Sequence, residues 1–179
     1  RPVGENTRGR AAAMGKPADQ IVVSVLNRPR HEQLIADIRA AGAGTRLMSD
    51  GDVAGGINAA RFNAPTDMCI GIGGSPEGIV TACAAQALGG HIQGRMWPRD
   101  DAERQRGIDA GLKMDYVYEA DELVKGNNTI FVATGVTDGQ LVSGVRREGN
   151  WVHTESIVLR GASGTLRRIS SEHLLTKWG

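Results

Sequence analysis

What most constrains this chain is a repeating order of segments between residues 21 and 96. The run Ile21-Val22-Val23-Ser24-Val25-Leu26 is short, apolar and β-branched, which predicts a buried strand. Pro29 stops it. Leu34, Ile35, Ile38 and Ala41 then recur at helical spacing, and Gly42 marks the C-terminal boundary. Residues 45–49 predict a second strand, Asp50-Gly51-Asp52 a turn, and residues 53–60 a helix of small residues. Residues 67–72 predict a third strand. Gly73-Gly74-Ser75-Pro76-Glu77 turns from it into a helix over 79–88, which Gly89-Gly90 ends. Residues 91–96 predict a fourth strand, and the charged stretch 99–111 an exposed helix. Strands and helices alternating in steps of about 25 residues predict an α/β layer. Right-handed crossovers would place the turns that follow its strands along one edge of the sheet.

The second half changes character. Residues 129–134, 152–159 and 165–169 are β-rich, and Arg160-Gly161-Ala162-Ser163-Gly164 between the last two reads as a hairpin or tight turn. The expected sheet is therefore mixed, parallel at first and antiparallel at its edge. Residues 1–20 are basic, rich in Gly and Ala, and without clear period. They read as a connector in which the run AAAMG forms a helical turn ending at Gly15, with residues 21–179 as one α/β domain. A length of 179 residues fits that organisation. The 25 glycines are about twice what average usage of ~7% would give, and they cluster at segment junctions.

Charge and cysteine content exclude several classes. Lys plus Arg is 21 and Asp plus Glu is 20, so no nucleic-acid partner held by bulk charge is expected. Cys69 and Cys83 make neither a disulfide framework nor a zinc-ligand spacing, and they read as buried free thiols suited to a reducing cytoplasm. No stretch approaches the ~18 apolar residues of a membrane span, so no membrane partner is expected. The first ten residues lack the apolar core of a signal peptide, and residue 1 is Arg. The expectation is a processed chain or one piece of a longer polypeptide.

Three predicted strand-to-helix turns carry candidate chemistry. In Arg28-Pro29-Arg30-His31, two guanidiniums flank a proline ahead of a helix, an arrangement suited to gripping phosphate; solvated loop arginines are the plainer reading. His31 is read as a helix-start residue with no catalytic role. In Asp50-Gly51-Asp52, Gly51 permits a tight turn. Its two carboxylates suit sugar hydroxyls or a hard cation, or simply a turn and a helix cap. In Gly71-Ile72-Gly73-Gly74-Ser75-Pro76-Glu77-Gly78 the glycines allow close approach of a ligand. Glu77 faces either the helix dipole or a metal. No nucleotide-loop or serine-hydrolase signature matches. Brought to one edge, Arg for phosphate, Asp for hydroxyls and Glu for a divalent cation compose a sugar-phosphate site. A fourth segment, Ala133-Thr134-Gly135-Val136-Thr137-Asp138-Gly139, reads as structural, with Thr134 and Thr137 as possible phosphate donors. His153 reads as a packed or edge residue.

These segments resemble the class II fructose-1,6-bisphosphatases of bacteria. The resemblance rests on Asn27-Arg28-Pro29-Arg30-His31, Ser49-Asp50-Gly51-Asp52-Val53-Ala54 and the 71–78 turn. Ala87-Leu88-Gly89-Gly90-His91-Ile92-Gln93-Gly94, Asp121-Glu122-Leu123-Val124-Lys125-Gly126 and the 133–139 segment add to it. It runs in order over nearly the whole chain. It implies the layered α/β sandwich of the lithium-sensitive sugar phosphatases. It further implies hydrolysis of the 1-phosphate of fructose 1,6-bisphosphate with Mg²⁺ or Mn²⁺, a place in gluconeogenesis, and a homo-oligomeric cytoplasmic enzyme. Sedoheptulose 1,7-bisphosphate is a substrate variant within the same class.

Carried over by motif, Arg28, Pro29, Arg30, Asp50, Gly51, Asp52 and Gly74 match substrate-binding positions and Glu77 matches a metal ligand. No catalytic residue is assigned. Family segments resembling GEGE and DPIDGT, which carry most of the metal-binding carboxylates, do not occur here. The chain therefore reads as the second half of such an enzyme, inactive without an N-terminal half supplied in cis or in trans. The competing expectation is a non-catalytic sugar-phosphate-binding or regulatory module.

Overall fold

The computed structural model describes residues 2–177. Helix α1 (Val3–Met14) leads to strand β1 (Val22–Leu26), and a short 3-10 turn, Pro29–His31, opens helix α2 (Glu32–Ala40). Strand β2 (Gly44–Met48), helix α3 (Asp52–Ala60), strand β3 (Met68–Cys69) and helix α4 (Ser75–Ala87) complete the alternating part. The three strands form a parallel sheet in the order β2-β1-β3, with Val22 opposite Gly44 and Ser24 opposite Cys69.

The stretch read as a connector contains a twelve-residue helix. Alanine-rich sequence favours a helix without needing a strong apolar period, which is why periodicity did not reveal α1. Gly15, at φ +62, ends it as expected. Ala11 packs with Ile21, Val23, Ile38 and Ala43, and Thr7 is fully buried. The helix therefore belongs to the same core as the parallel sheet.

Two further expectations need correction. The fourth strand exists as β4 (Gln93–Arg95), but it pairs antiparallel with β5 (Val117–Glu119) in a separate ribbon. Helix α5 (Asp101–Asp109), with no buried residue, lies between them in sequence, and α6 (Ala120–Leu123) follows. An inner strand of a parallel sheet is apolar on both faces. Gln93-Gly94-Arg95 has no residue to meet that demand, and none of the three is buried.

The single mixed sheet is likewise two sheets. The later strands form their own antiparallel sheet, in which β8 (Trp151–Arg160) pairs with β6 (Ile130–Thr134), β7 (Arg146–Glu148) and β9 (Thr165–Leu174). The cause is helix α3, Asp-Val-Ala-Gly-Gly-Ile-Asn-Ala-Ala, which is small and apolar almost all round. On one side Gly55 lies against Met48 and Cys69 of the parallel strands. On the other, Ile57, Val53 and Ala54 join Phe131, Ile157 and Leu159 of the antiparallel sheet, together with Ala84 and Ala87 of α4. The layers therefore run helix, parallel sheet, helix, antiparallel sheet. Among the described residues no helix is long and apolar enough to cross a membrane.

The contact between α3 and α4 leaves no room. A Cβ on Gly56 would overlap Cγ2 of Thr81, whose hydroxyl donates to the Glu77 carbonyl at 2.8 Å. Gly56→Ala is expected to destabilise the fold by about 1–3 kcal/mol despite the better helix propensity of alanine. Adding Thr81→Ser removes the obstructing methyl, keeps the hydroxyl, and should restore most of the loss. Urea denaturation of the two variants checks this; an unchanged midpoint for the single variant would mean the helices are free to separate.

Candidate functional site

All three strands of the first sheet run the same way, so their carboxyl ends share one edge, where open α/β sheets bind ligands. The turns leaving those ends are the three singled out in the sequence, and side chains tie them together. Arg28 Nη2 donates to Asp50 Oδ1 at 2.7 Å, joining the first turn to the second. Arg30 Nε donates to the Ile72 carbonyl at 3.0 Å, joining the first turn to the third. The Arg28–Asp50 pair is exposed, so it contributes little to stability and yields readily to a ligand.

Gly51, at φ +83, precedes α3 in the left-handed region, where a side chain costs strain. Asp52 follows as the first helical residue, and its Oδ1 accepts from the Val53 N–H at 2.9 Å. Its other oxygen turns toward the third turn: Oδ2 lies 2.6 Å from where a Cβ on Gly73 would stand. At the next residue, Glu77 Oε2 occupies the space a Cβ on Gly74 would need. The two carboxylates thus lie against consecutive residues of the Gly73-Gly74 pair, with Gly74 as the N-cap of α4 and Pro76 in its first turn.

Beneath this edge lies Cys69, at the end of β3. Burial, and secondarily the Asp52 carboxylate, push its thiol up to about 11. At pH 8 roughly a thousandth of it is thiolate, so it should resist alkylation in the folded protein and react only once unfolded. Mass spectrometry after iodoacetamide treatment, with and without urea, checks this. Rapid labelling without urea would show that the strand end opens.

His31 is the helix-start residue expected, the N-cap of α2, but its burial was not foreseen. It is fully buried, and both ring nitrogens are engaged. Nδ1 lies 2.8 Å from the Leu26 carbonyl and Nε2 accepts from the Ile72 N–H at 2.8 Å. No periodicity marks it, because its partner Ile72 arrives four elements later in the chain.

Other sequence candidates have partners of their own on the antiparallel sheet and its loops. The Thr134 hydroxyl is taken by Ser156 Oγ at 2.8 Å, and a Cβ on Gly135 would overlap the Ser143 carbonyl. Asp138 Oδ1 accepts from the Gly144 N–H at 2.8 Å, so the 133–144 segment is a tightly closed loop. His153 sits between Glu148 and Glu172 on the antiparallel sheet.

Among the described residues no cluster of three or more His, Cys, Asp or Glu side chains could hold a metal ion. A hard cation takes six or more oxygen ligands, of which side chains here offer two carboxylates at most. The residues present do not by themselves fit a complete metal site.

The family model described as bacterial fructose-1,6-bisphosphatase, glpX-encoded, matches residues 1–173. The chain belongs to that family. The class 2 fructose-1,6-bisphosphatase of Haemophilus influenzae is 39% identical over 187 aligned positions, covering 97% of this chain and 56% of that protein. Fructose-1,6-bisphosphatase 1 class 2 of Escherichia coli K12 is 37% identical over 189 positions, covering 98% and 56%. The chain spans about half the length of these curated relatives. Among solved structures, a sugar N-methyltransferase from Streptoalloteichus aligns at a TM-score of 0.28 and 13% identity, over 96% of this chain and 69% of that one. That similarity is too low to bear on the fold.

Proposed function

We propose that this chain is the substrate-binding portion of a class 2 fructose-1,6-bisphosphatase, an enzyme that cleaves the 1-phosphate of fructose 1,6-bisphosphate to give fructose 6-phosphate and inorganic phosphate. The observation that carries this reading is the convergence of the Arg28–Arg30, Asp50–Asp52 and Gly73–Glu77 turns on one sheet edge, tied by the Arg28–Asp50 and Arg30–Ile72 hydrogen bonds. Family membership supports it.

In this reading Arg28 and Arg30 hold phosphate. Arg30 uses Nε on the Ile72 carbonyl, which fixes the plane of its guanidinium and aims the terminal amino groups as a fork. Pro29 keeps the turn between the two arginines rigid, and Gly51 lets Asp50 and Asp52 present their carboxylates to sugar hydroxyls. Gly74 lets the sugar phosphate approach the backbone. Glu77 would supply one ligand to Mg²⁺ or Mn²⁺, with the remaining ligands from outside this chain. When bound, the metal would supply charge neutralisation and an activated water. The same site accommodates a longer ketose bisphosphate such as sedoheptulose 1,7-bisphosphate. A cytoplasmic, homo-oligomeric enzyme of sugar-phosphate metabolism in gluconeogenesis fits this chemistry, and the layered architecture fits the sandwich of the lithium-sensitive sugar phosphatases.

The test is phosphate release from fructose 1,6-bisphosphate with Mn²⁺, on this chain alone and after adding the N-terminal half of a class 2 enzyme. Activity in the mixture only is the expected result. Sugar-phosphate binding with no release in the mixture would instead identify a binding or regulatory module. In the active mixture, Arg30→Ala should raise KM by the equivalent of roughly 1.5–3 kcal/mol, the worth of a charged hydrogen bond, and change kcat less. An unchanged KM would remove Arg30 from the phosphate site.

A further inference from the structure

The third strand was expected over 67–72, yet β3 ends at Cys69. The ladder shows why. In a parallel pair, successive N–H donors of one strand reach alternate carbonyls of its neighbour. The Ile70 N–H takes the Ser24 carbonyl at 3.0 Å, so the next rung would join the Ile72 N–H to the Leu26 carbonyl. That rung is not closed directly. The imidazole of His31 stands in it, with the Leu26 carbonyl on Nδ1 and the Ile72 N–H on Nε2, each at 2.8 Å.

An amide N–H only donates, so Nε2 is the bare nitrogen and Nδ1 carries the proton toward Leu26. The ring is neutral, buried and satisfied at both ends. It spaces the two strands apart by its own width at the point where they leave the sheet. The residue before it, Arg30, holds the carbonyl of the same Ile72 through Nε. Both polar atoms of one residue are thus gripped by two consecutive residues of the first turn. Gly73, Gly74 and Glu77 follow immediately.

We propose that His31 is a positioning residue, an inserted rung that sets the separation between the Arg28–Arg30 phosphate grip and the Gly73–Glu77 turn. The proposal rests on the fructose-bisphosphatase reading of this edge and adds what holds its two halves in register. Without the ring, the Ile72 N–H and the Leu26 carbonyl lose the partner that joins them, and the third turn is free to shift against the first. A substrate reaching from the arginines to Gly74 would then meet the wrong spacing.

The experiment uses the assembled enzyme, this chain with the N-terminal half, in wild-type form and as His31→Gln and His31→Asn. Gln carries a donor and an acceptor on one amide at the reach of the far side of the ring and can bridge the gap; Asn is too short to do so. The expected result is a KM for fructose 1,6-bisphosphate raised about tenfold in His31→Asn and by less than about threefold in His31→Gln, with kcat little changed in either. Hydrogen exchange at the Ile72 amide should be faster only in His31→Asn. Equal KM changes in both variants would show a residue needed for folding alone, and no change in either would show an idle one; both outcomes overturn the proposal. If the wild-type mixture releases no phosphate, the functional reading fails by itself. The Ile72 exchange comparison then decides this inference: the two variants exchanging alike would sink it.

Discussion

Replacing Glu77 with Gln in the assembled enzyme is expected to reduce metal-dependent phosphate release by about 100-fold or more while leaving the fold intact. A metal worth several kcal/mol of transition-state charge stabilisation accounts for an effect of that order, since ~3 kcal/mol corresponds to about 100-fold in rate. Stability should barely move, because Glu77 is exposed and its shape is kept. The change forfeits only the favourable charge in the first turn of α4, about 0.3–1 kcal/mol. The measurement is kcat against Mn²⁺ concentration beside a melting curve. A higher half-saturating metal concentration with an unchanged melting temperature identifies a ligand. Unchanged activity would take Glu77 out of the site, and loss of activity in step with melting would make it structural.

The three turns were easier to read in the sequence than the layers. Glycine, proline and aspartate punctuate the strand ends so sharply that the three turns, and even their convergence on one edge, follow from the alternation of segments. What periodicity missed depends on partners remote in sequence. Helix α1 has too little amphipathic contrast to stand out, yet Ala11 packs against Ile21 and Ile38. Helix α3 is apolar on two sides, and only the position of Met48 on one and Phe131 on the other reveals that it separates two sheets. The shortness of β3 was invisible because Met68 to Ile72 is a good strand sequence. It is His31, from another turn, that interrupts its ladder. Strand content is a local property; sheet membership and strand length are set by what arrives from elsewhere.

The glycine pair beside the two carboxylates gives the second large expected effect. Gly74→Ala and Gly73→Ala should each lower kcat/KM by about 100-fold while leaving the melting temperature unchanged or slightly raised. Neither glycine is there for its backbone. Gly74 sits at φ −71 and ψ 149, extended backbone open to any residue, and Gly73 is not among the positive-φ glycines. A methyl at either position costs no strain, and in the unfolded chain it reduces disorder, which favours folding by about 0.4–1 kcal/mol. What each methyl meets is the free end of a carboxylate: Asp52 Oδ2 at Gly73 and Glu77 Oε2 at Gly74. Those ends rotate away at small cost to the fold, and in doing so they leave the positions from which they would face sugar and metal. Gly51→Ala provides the contrast, because at φ +83 the same methyl should cost about 1–2 kcal/mol of stability. Calorimetry and steady-state kinetics on the three variants separate the two uses of glycine. If Gly73→Ala and Gly74→Ala melt early as Gly51→Ala does, the pair serves packing, and the carboxylates beside it owe it nothing. If they melt normally and lose turnover, the absence of two methyl groups is what gives Asp52 and Glu77 their places.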